Sequence, residues 1–474
     1  MSSSFLIVLC ITIGALVALV GLFRPFLGFL VFLAIHFIQP GELVPALEPF
    51  RIELVYGLLL ISVLVLRRAA MATHTPLLAD RILRSALFLV GIGVLSIPFS
   101  LWKGGSAQTV IEMVKLVTLM FLMKLLVNAE DRMRKLLWCV TGILAWLGLS
   151  SLFSFYRGQY YHLVYDLGNL NRAQGVSSIV GGPNELAGLL VALLPLLIAL
   201  FGTVRGIMAR LLLIACGAVC LMAIMLTGSR IAVIGLLAIA IYYTLRSKRR
   251  IVTLIVCLII GSWLWVWMPR EYRLRYLTVQ EYAQGAKLDD SNQLRLQVWK
   301  AGQKIFLARP ILGVGAGQFP TGYGMIYLAG RHAAWMQPHN LLIQVACELG
   351  VAGLVALTYF LIQIVKGIRV ALREKGKPAV ELSYQVGVAC SVMFVGIIIL
   401  SAVGHTLYRP FWYVLGGLVA ANQGILLAKL KFEEETTNPN NPSDESTPSA
   451  DIESCERDQV VAPTFLGSNR LRRL

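Results

Sequence analysis

The sequence contains few charged residues: Asp, Glu, Lys and Arg make up 14% of its 474 residues, whereas 57% are hydrophobic. Soluble domains carry about 25% charged residues, so this chain has too little polar surface to fold in water. Long polar stretches are also scarce, because apolar runs long enough to cross a bilayer recur almost end to end. The composition excludes a soluble protein and predicts an all-α integral membrane protein.

The sequence also lacks cysteines arranged for a metal site or a disulfide. The eight cysteines show neither the spacing of a metal site nor a pair expected to form a disulfide. Seven of them lie within apolar segments, where a thiol behaves as a small hydrophobic group. The N-terminus also lacks the basic region and cleavage site of a signal peptide, so we expect the first apolar run to be a retained span.

About 12–13 transmembrane helices are predicted from the apolar runs. Their expected bounds are about 4–23, 25–40, 53–66, 85–101, 109–127, 136–155, 184–202, 211–227, 230–245, 251–268, 341–365, 383–404 and 410–428. The first three are the least regular, because the second and third are short.

Basic residues in the short loops predict the orientation of these spans. Five loops are rich in lysine and arginine, around residues 67–84, 132–135, 205–210, 246–250 and 366–377. With the spans above, all five lie on one side of the membrane, which the positive-inside rule assigns to the cytoplasm. The opposite side then receives the segments 156–183 and 269–340.

The chain divides into one membrane domain, residues 1–430, and a polar tail, residues 431–474. The tail holds nine of the 25 acidic residues and five of the 42 basic ones. It is too polar to bury much surface, so it is expected to be disordered and cytoplasmic. The membrane domain therefore has 37 basic and 16 acidic residues, a surplus of 21 that exceeds the net charge of +17 of the whole chain. We attribute that charge to membrane anchoring rather than to nucleic-acid binding.

The segment 269–340 is the longest connection outside the membrane. It contains several aromatic residues and nine basic ones, so it is not expected to be disordered. Long loops can cross the membrane regardless of charge; the alternative is that these cations bind an anionic ligand, since guanidinium groups bind phosphate oxygens bidentately. Residues 293–307 have the spacing of an amphipathic interfacial helix, from which Arg295 would face either a cavity or the phospholipid headgroups.

Two short motifs follow in this segment. The clustered glycines of 313–317 (GVGAG) do not have the spacing of a dinucleotide-binding loop, and they predict a tight backbone turn near a ligand. His339 follows Pro338 at the start of an apolar helix. A histidine at this position is either an ordinary interfacial residue or a general base, because its pKa lies near neutrality.

His339, Asn340, Gly350 and Gly353 together resemble the signature of the bacterial O-antigen ligases: a histidine, then Asn, Ser or Arg, nine residues, a glycine, two residues, and Gly, Thr or Tyr. Three further stretches resemble motifs of the O-antigen ligase and polymerase superfamily: 309–319 (RPILGVGAGQF), 183–187 (PNELA) and 227–230 (TGSR). The resemblance covers roughly residues 150–430.

The resemblance implies a metal-independent, inverting glycosyltransferase without a cofactor. Such enzymes move a glycan from undecaprenyl diphosphate to an acceptor hydroxyl, on lipid A–core or another glycan, at the periplasmic face of the bacterial inner membrane. His339 would deprotonate or orient the acceptor hydroxyl. Arg230 and Arg295 would bind the diphosphate and stabilise its departing charge; an arginine at the start of a span, as Arg230 is, is also a functional candidate by default.

Several further residues are expected near the substrates. Asn184, Glu185, Asn340 and Arg309 are predicted to bind them. His405, Tyr408 and Arg409 lie at the outer end of a late span, and their alternative role is structural anchoring. No Asp-x-Asp metal motif is present in the sequence.

Two alternatives to a ligase remain. An O-antigen or exopolysaccharide polymerase would use a second lipid-linked glycan as the acceptor, and the histidine signature favours the ligase. A polysaccharide transporter or flippase would predict pseudo-symmetric halves and charged residues at mid-membrane, whereas the sequence has no internal repeat and its basic residues lie in loops.

Overall fold

The structure is a computed structural model, and it describes residues 3–71, 79–165, 168–177, 181–283, 290–330, 332 and 336–437. These residues form seventeen α-helices and one antiparallel β-hairpin. The helices are α1 (Ser3–Phe23), α2 (Pro25–Ile38), α3 (Pro40–Leu43), α4 (Ile52–Met71), α5 (Arg81–Ser96), α6 (Lys103–Leu126), α7 (Glu130–Tyr156), α8 (Pro183–Thr203), α9 (Ile207–Leu226), α10 (Arg230–Arg246), α11 (Arg250–Trp267), α12 (Arg270–Ala283), α13 (Asp290–Ala308), α14 (Phe319–Gly322), α15 (Leu341–Arg373), α16 (Glu381–Ser401) and α17 (Pro410–Thr437). The hairpin strands are β1 (Tyr161–Tyr165) and β2 (Gly168–Arg172).

The predicted all-α membrane fold is confirmed, and each of the thirteen predicted spans coincides with a helix. Within the described residues, nine helices are long and apolar enough to cross a membrane. The other four predicted spans are shorter or more charged. The described apolar stretch of α1 is Gly14–Phe23, α2 and α10 have 14 and 17 residues, and α6 carries Glu112 and Lys115 in its middle.

The core of the bundle is built from three pairs of helices: α8 packs on α16, α5 on α15, and α6 on α17. α17 supplies the largest fully buried side chains, Trp412 and Tyr413. α11 lies at the periphery, and none of its residues, all of which the structure describes, is buried, so lipid would surround most of it. Two of the central helices, α8 and α15, begin at the 183–187 motif and at His339–Asn340.

α15 is interrupted at Gly350, where φ is 65° and ψ is −160°. The break leaves backbone groups on both sides of this residue without their helical partners, and the segment 310–315 replaces those partners. Val351 and Ala352 donate their N–H groups to the carbonyls of Pro310 and Ile311, at 2.8 and 3.2 Å.

The two carbonyls exposed by the same break are also satisfied. Cys347 accepts the N–H of Val314 at 2.8 Å, and Glu348 accepts that of Gly315 at 3.0 Å. Backbone groups inside a membrane protein need such partners because lipid offers none. The segment 310–315 therefore supplies the hydrogen-bond partners that allow α15 to be interrupted at Gly350.

The basic loops meet at one end of the bundle. Lys124, at the end of α6, lies 3.4 Å from Asp80, just before α5. Lys429 of α17 lies 2.7 Å from Glu130, at the start of α7. The guanidinium of Arg246, at the end of α10, lies 5.7 Å from the centre of the Tyr384 ring, near the start of α16. These contacts agree with the predicted grouping of the basic loops on one side.

α17 extends to Thr437, so the first seven residues of the predicted tail continue a helix. Its last turns are held by Lys429, which also donates to the carbonyl of Ala379 at 2.7 Å. Residues 438–474, the rest of the predicted disordered tail, lie outside the described residues.

Candidate active site

His339 lies on a short irregular strap just before α15, at the end of the bundle opposite the basic loops. Its backbone φ is 46°, a left-handed conformation that is uncommon for residues other than glycine. The next residue holds this conformation in place. Asn340 caps α15 by accepting the N–H of Ile343 at 3.0 Å, and its amide donates to the carbonyl of Ala402 at 3.0 Å.

His405 lies beside His339, in the loop between α16 and α17. The two ring centroids are 5.5 Å apart, with the rings edge to face. Two further hydrogen bonds hold the loop: Gln344 of α15 accepts the N–H of Leu407 at 3.2 Å, and Trp412 donates to the Thr406 hydroxyl at 3.2 Å. The sequence predicted that His339 and His405 are both candidates, and the structure brings them into contact.

The surroundings lower the pKa of both imidazoles. Burial lowers the pKa of His339, the nearby Arg295 lowers it further, and Glu185 opposes the shift. Burial, Arg409 and His339 together lower the pKa of His405 to about 3. A neutral imidazole has a nitrogen lone pair, so either ring can accept a hydrogen bond at neutral pH, whereas a pKa of about 3 makes His405 a poor acceptor of a proton.

An ion pair lies next to the two histidines. Arg409, which precedes α17, lies 3.6 Å from Glu185 in the first turn of α8. The pair joins two elements that are far apart in the sequence, and both side chains also act on the pKa of a neighbouring histidine. Glu185 and Arg409, predicted separately, therefore belong to one cluster.

α13 brings Arg295 to this cluster. Its predicted amphipathic character is confirmed, but its apolar face packs on the protein: Val298, Ala301 and Ile305 are buried against the 314–323 segment and Cys347. Trp299 donates to the carbonyl of Pro338 at 3.1 Å, directly beside His339. The arginine is thus fixed relative to the histidine through the backbone of the strap.

The predicted tight turn at 313–317 is confirmed, and all three of its glycines have positive φ. The turn lies against α15. The carboxylate of Glu348 accepts the N–H groups of Gly317 and Phe319, at 3.0 and 3.2 Å, and the hydroxyl of Tyr408 at 2.6 Å. Burial raises the pKa of Tyr408 well above its usual range, and Glu348 raises it further. This network joins the glycine turn, α15 and the His405 loop.

Arg172 is a site residue that the sequence did not single out. It is buried at the end of β2, where its Nε donates to the carbonyl of Thr227 at 2.6 Å and Nη2 to the side chain of Asn184 at 2.8 Å. It therefore links the 183–187 and 227–230 motifs. The contact spans up to 55 residues of sequence, and no local pattern around Arg172 indicates it.

Arg230 is the first residue of α10, directly after the turn that Arg172 holds. Arg309 donates to the carbonyl of Phe99, at the end of a 3-10 turn after α5, and thus anchors the start of the glycine segment. The substrate contacts predicted for Arg230, Arg309 and Asn340 remain predictions. For Asn340 and Arg309 the structure additionally shows an anchoring role.

The site is thus a cluster of imidazole, guanidinium and carboxylate groups at one end of a polytopic helical bundle. Among the described residues, no group of three or more His, Cys, Asp or Glu side chains is arranged to hold a metal ion. The class of protein that this fold and site define is a multi-pass membrane protein with a polar site at the membrane surface.

The family model described as O-antigen ligase matches residues 215–358. This match confirms the predicted resemblance to the O-antigen ligase superfamily over these residues. The matched segment contains Arg230, Arg295, His339 and Gly350; it is shorter than the predicted 150–430, and Arg172, Glu185 and His405 fall outside it. A search of curated proteins found no match.

Proposed function

We propose that the protein is an O-antigen ligase-type glycosyltransferase that moves a glycan from undecaprenyl diphosphate to an acceptor hydroxyl at the periplasmic face of the inner membrane. The observation that carries the proposal is the position of His339, which Asn340 fixes and whose pKa is lowered by burial and by Arg295 and raised by Glu185. A base adjacent to fixed cations is the arrangement that transfer from a diphosphate requires.

In the proposed reaction the acceptor oxygen attacks the anomeric carbon of the donor sugar from the face opposite the diphosphate. The bond from that carbon to the diphosphate oxygen breaks, which inverts the configuration. His339 takes the proton of the acceptor hydroxyl, and the polyprenyl diphosphate leaves with its charge balanced by Arg230 and Arg295. His405, fixed 5.5 Å from His339, orients that ring or the acceptor.

The first test is deletion of the gene in its host, with complementation by wild type, His339→Ala or His332→Ala. His332 is an exposed histidine of the same connecting segment and serves as the control. We expect long glycans to accumulate on the carrier and the acceptor to remain bare in the deletion strain and with His339→Ala, while His332→Ala restores transfer. Full complementation by His339→Ala would exclude it as the base.

The same experiment separates the ligase from the polymerase. A polymerase lengthens the glycan on its carrier, so its loss would leave single repeat units and no long chains. This outcome would move the proposal to the polymerase branch of the same superfamily, and an unchanged glycan pool would overturn both assignments.

Arginine-to-lysine changes test how the diphosphate is bound. A guanidinium binds phosphate through two parallel N–H donors, whereas an ammonium is a point charge. We therefore expect Arg230→Lys and Arg295→Lys each to reduce purified transfer activity at least tenfold, nearly as much as the alanine variants. Wild-type rates in both lysine variants would rule out bidentate binding. Added chelator is expected to leave the wild-type rate unchanged.

A further inference from the structure

A groove of about 330 Å³ lies outside the cluster described above, between the end of α11 and the first turns of α12. Five side chains line it: Trp265, Arg270, Arg273, Leu274 and Leu277. One wall is the end of α11, the helix at the periphery of the bundle, and the other is α12, which belongs to the segment 269–340. The groove is therefore expected to open at the level of the lipid headgroups.

The lining residues of α12 form a single stripe. Positions 270, 273, 274 and 277 follow the i, i+3, i+4, i+7 spacing that places residues on one helix face. The opposite face is attached to the protein, because the Tyr272 hydroxyl donates to the carbonyl of Asn171 and Tyr276 donates to that of Met225 at 3.5 Å. The groove face is thus held in a fixed orientation.

One guanidinium of the groove is incompletely satisfied by the protein. The Nε atom of Arg273 is buried, and no atom of the described residues accepts a hydrogen bond from it. A buried donor without an acceptor is unfavourable, and a phosphate oxygen in the groove would supply the acceptor. With Arg270 beside it, the site presents two guanidinium groups, the preferred partners of phosphate. Trp265, Leu274 and Leu277 add an apolar surface for a hydrocarbon chain.

The helix that forms the groove is attached to the hairpin beside the candidate active site. The β-hairpin residue that anchors α12, Asn171, immediately precedes Arg172, which reaches Asn184 and Thr227 in the candidate active site. Tyr272 packs in the same apolar cluster as Leu170 and Leu226. A lipid phosphate in the groove would therefore be separated from these contacts by the thickness of α12.

We propose that this groove binds the phosphate and first isoprene units of the polyprenyl carrier, as a docking site that is separate from Arg230 and Arg295. The assignment to the carrier rests on the proposed function. The phosphate binds Arg270 and Arg273, and the chain lies along Trp265 and the two leucines towards the bilayer.

The test uses the full-length protein in phosphatidylcholine nanodiscs and a photoreactive undecaprenyl phosphate. We expect cross-links in residues 265–277, and at least a tenfold loss of binding in the Arg270→Gln/Arg273→Gln variant. The matched control is Arg249→Gln/Arg250→Gln, which removes two arginines from the opposite end of α11 and should bind as wild type. A second pair of variants tests the apolar wall: Trp265→Ala should weaken binding of the probe. Its control is Trp267→Ala, because Trp267 is not among the residues that line the groove.

Competition identifies the lipid. Unlabelled undecaprenyl phosphate should displace the probe, whereas phosphatidylglycerol at the same mole fraction should do so at least tenfold less well. Equal competition would mean a general headgroup site and would overturn the proposal. Wild-type cross-links that fall only outside 265–277 would also overturn it, even if the arginine variant failed to fold.

The outcome is separable from that of the proposed function. His339→Ala should lose transfer and still bind the probe in the groove. If wild type transfers no glycan but the groove binds the carrier, the proposed function fails and the groove remains. If transfer is confirmed and the arginine variant binds as wild type, the groove proposal fails alone.

Discussion

His339 and His405 differ in how their surroundings act on them. Burial is the largest cause of the lowered pKa in both, but only His339 has an opposing carboxylate, Glu185, among its causes. The pKa of His405 falls to about 3, so this ring stays neutral throughout the physiological range. His339 is the ring whose proton affinity the neighbouring charges can adjust, which suits it to take a proton during a reaction.

Because Arg295 and Glu185 shift the pKa of His339 in opposite directions, we expect their substitutions to shift the pH–rate profile in opposite directions. Arg295 lowers the pKa of His339, so Arg295→Gln should raise it and move the acidic limb of the pH–rate profile to higher pH. Glu185 raises the same pKa, so Glu185→Gln should move that limb to lower pH. The measurement is the residual transfer rate of each purified variant between pH 4 and pH 8, as a rough range around the ordinary histidine pKa.

Each variant serves as the control for the other, since a loss of activity from misfolding would not move the limbs in opposite directions. Shifts of the same sign in both variants, or none, would mean that His339 does not set the acidic limb.

The residues of the site differ in how far their sequence context revealed them. His339, Arg295 and Arg230 lie within motifs or patterned segments, so residue type and spacing were sufficient to propose them as candidates. Arg172 lies in no motif, and its importance follows only from contacts with Thr227 and Asn184. A buried arginine can be recognised only when its partners are known, and here both partners belong to other elements.

At the scale of elements, the broken helix α15 and the glycine turn form one unit. Gly350 has a φ and ψ that essentially only glycine adopts, and a Cβ there would collide with the carbonyl oxygen of Ile311. The same turn is fixed on its other side by the carboxylate of Glu348. The signature glycine, Gly350, is therefore needed for the backbone conformation that positions the site, and the structure gives it no direct role in the reaction.

Gly350→Ala should consequently destabilise the fold. The backbone conformation alone costs a non-glycine residue roughly 1–3 kcal/mol, and the collision with Ile311 adds to this. Gly91→Ala in α5 is the control, because among the described residues no atom outside its own helix lies within 4 Å of the position that the added methyl group would take, and alanine is the better helix former by about 0.5–1 kcal/mol. Thermal unfolding in detergent should show a lowered midpoint for Gly350→Ala and an unchanged or raised one for Gly91→Ala.

A Gly350→Ala protein with the wild-type midpoint would contradict the hydrogen-bond exchange between α15 and the segment 310–315. The readout does not depend on activity, so it tests the element independently of the proposed reaction.

At the scale of the whole molecule, the two ends of the bundle have different chemistry. Ion pairs between loops, such as Lys124 with Asp80 and Lys429 with Glu130, hold one end together. The other end carries the histidines, Arg295 and the Arg409–Glu185 pair. The positive-inside rule assigns the first end to the cytoplasm, which would direct the site to the periplasm.

Cysteine accessibility tests this orientation. Single cysteines at Gln159 and Gln293 should react with a membrane-impermeant maleimide in cells whose outer membrane alone is permeable, because both belong to segments at the site end. Cysteines at Lys248 and Lys375 should react only after the inner membrane is opened. The unsubstituted protein is the control for its native thiols, and the reverse pattern would place the site in the cytoplasm.

The sequence by itself determined the membrane fold, the positions of thirteen helices, the amphipathic α13 and the family signature. These features depend on hydrophobic runs, local spacing and residue types, all of which are local properties of the chain. The tertiary structure alone decided that His405 lies against His339, that Glu185 pairs with Arg409, that Arg172 joins two motifs, and that a glycine turn repairs a broken helix. Those contacts join residues tens to hundreds of positions apart, and only the packing of the helices sets their distances.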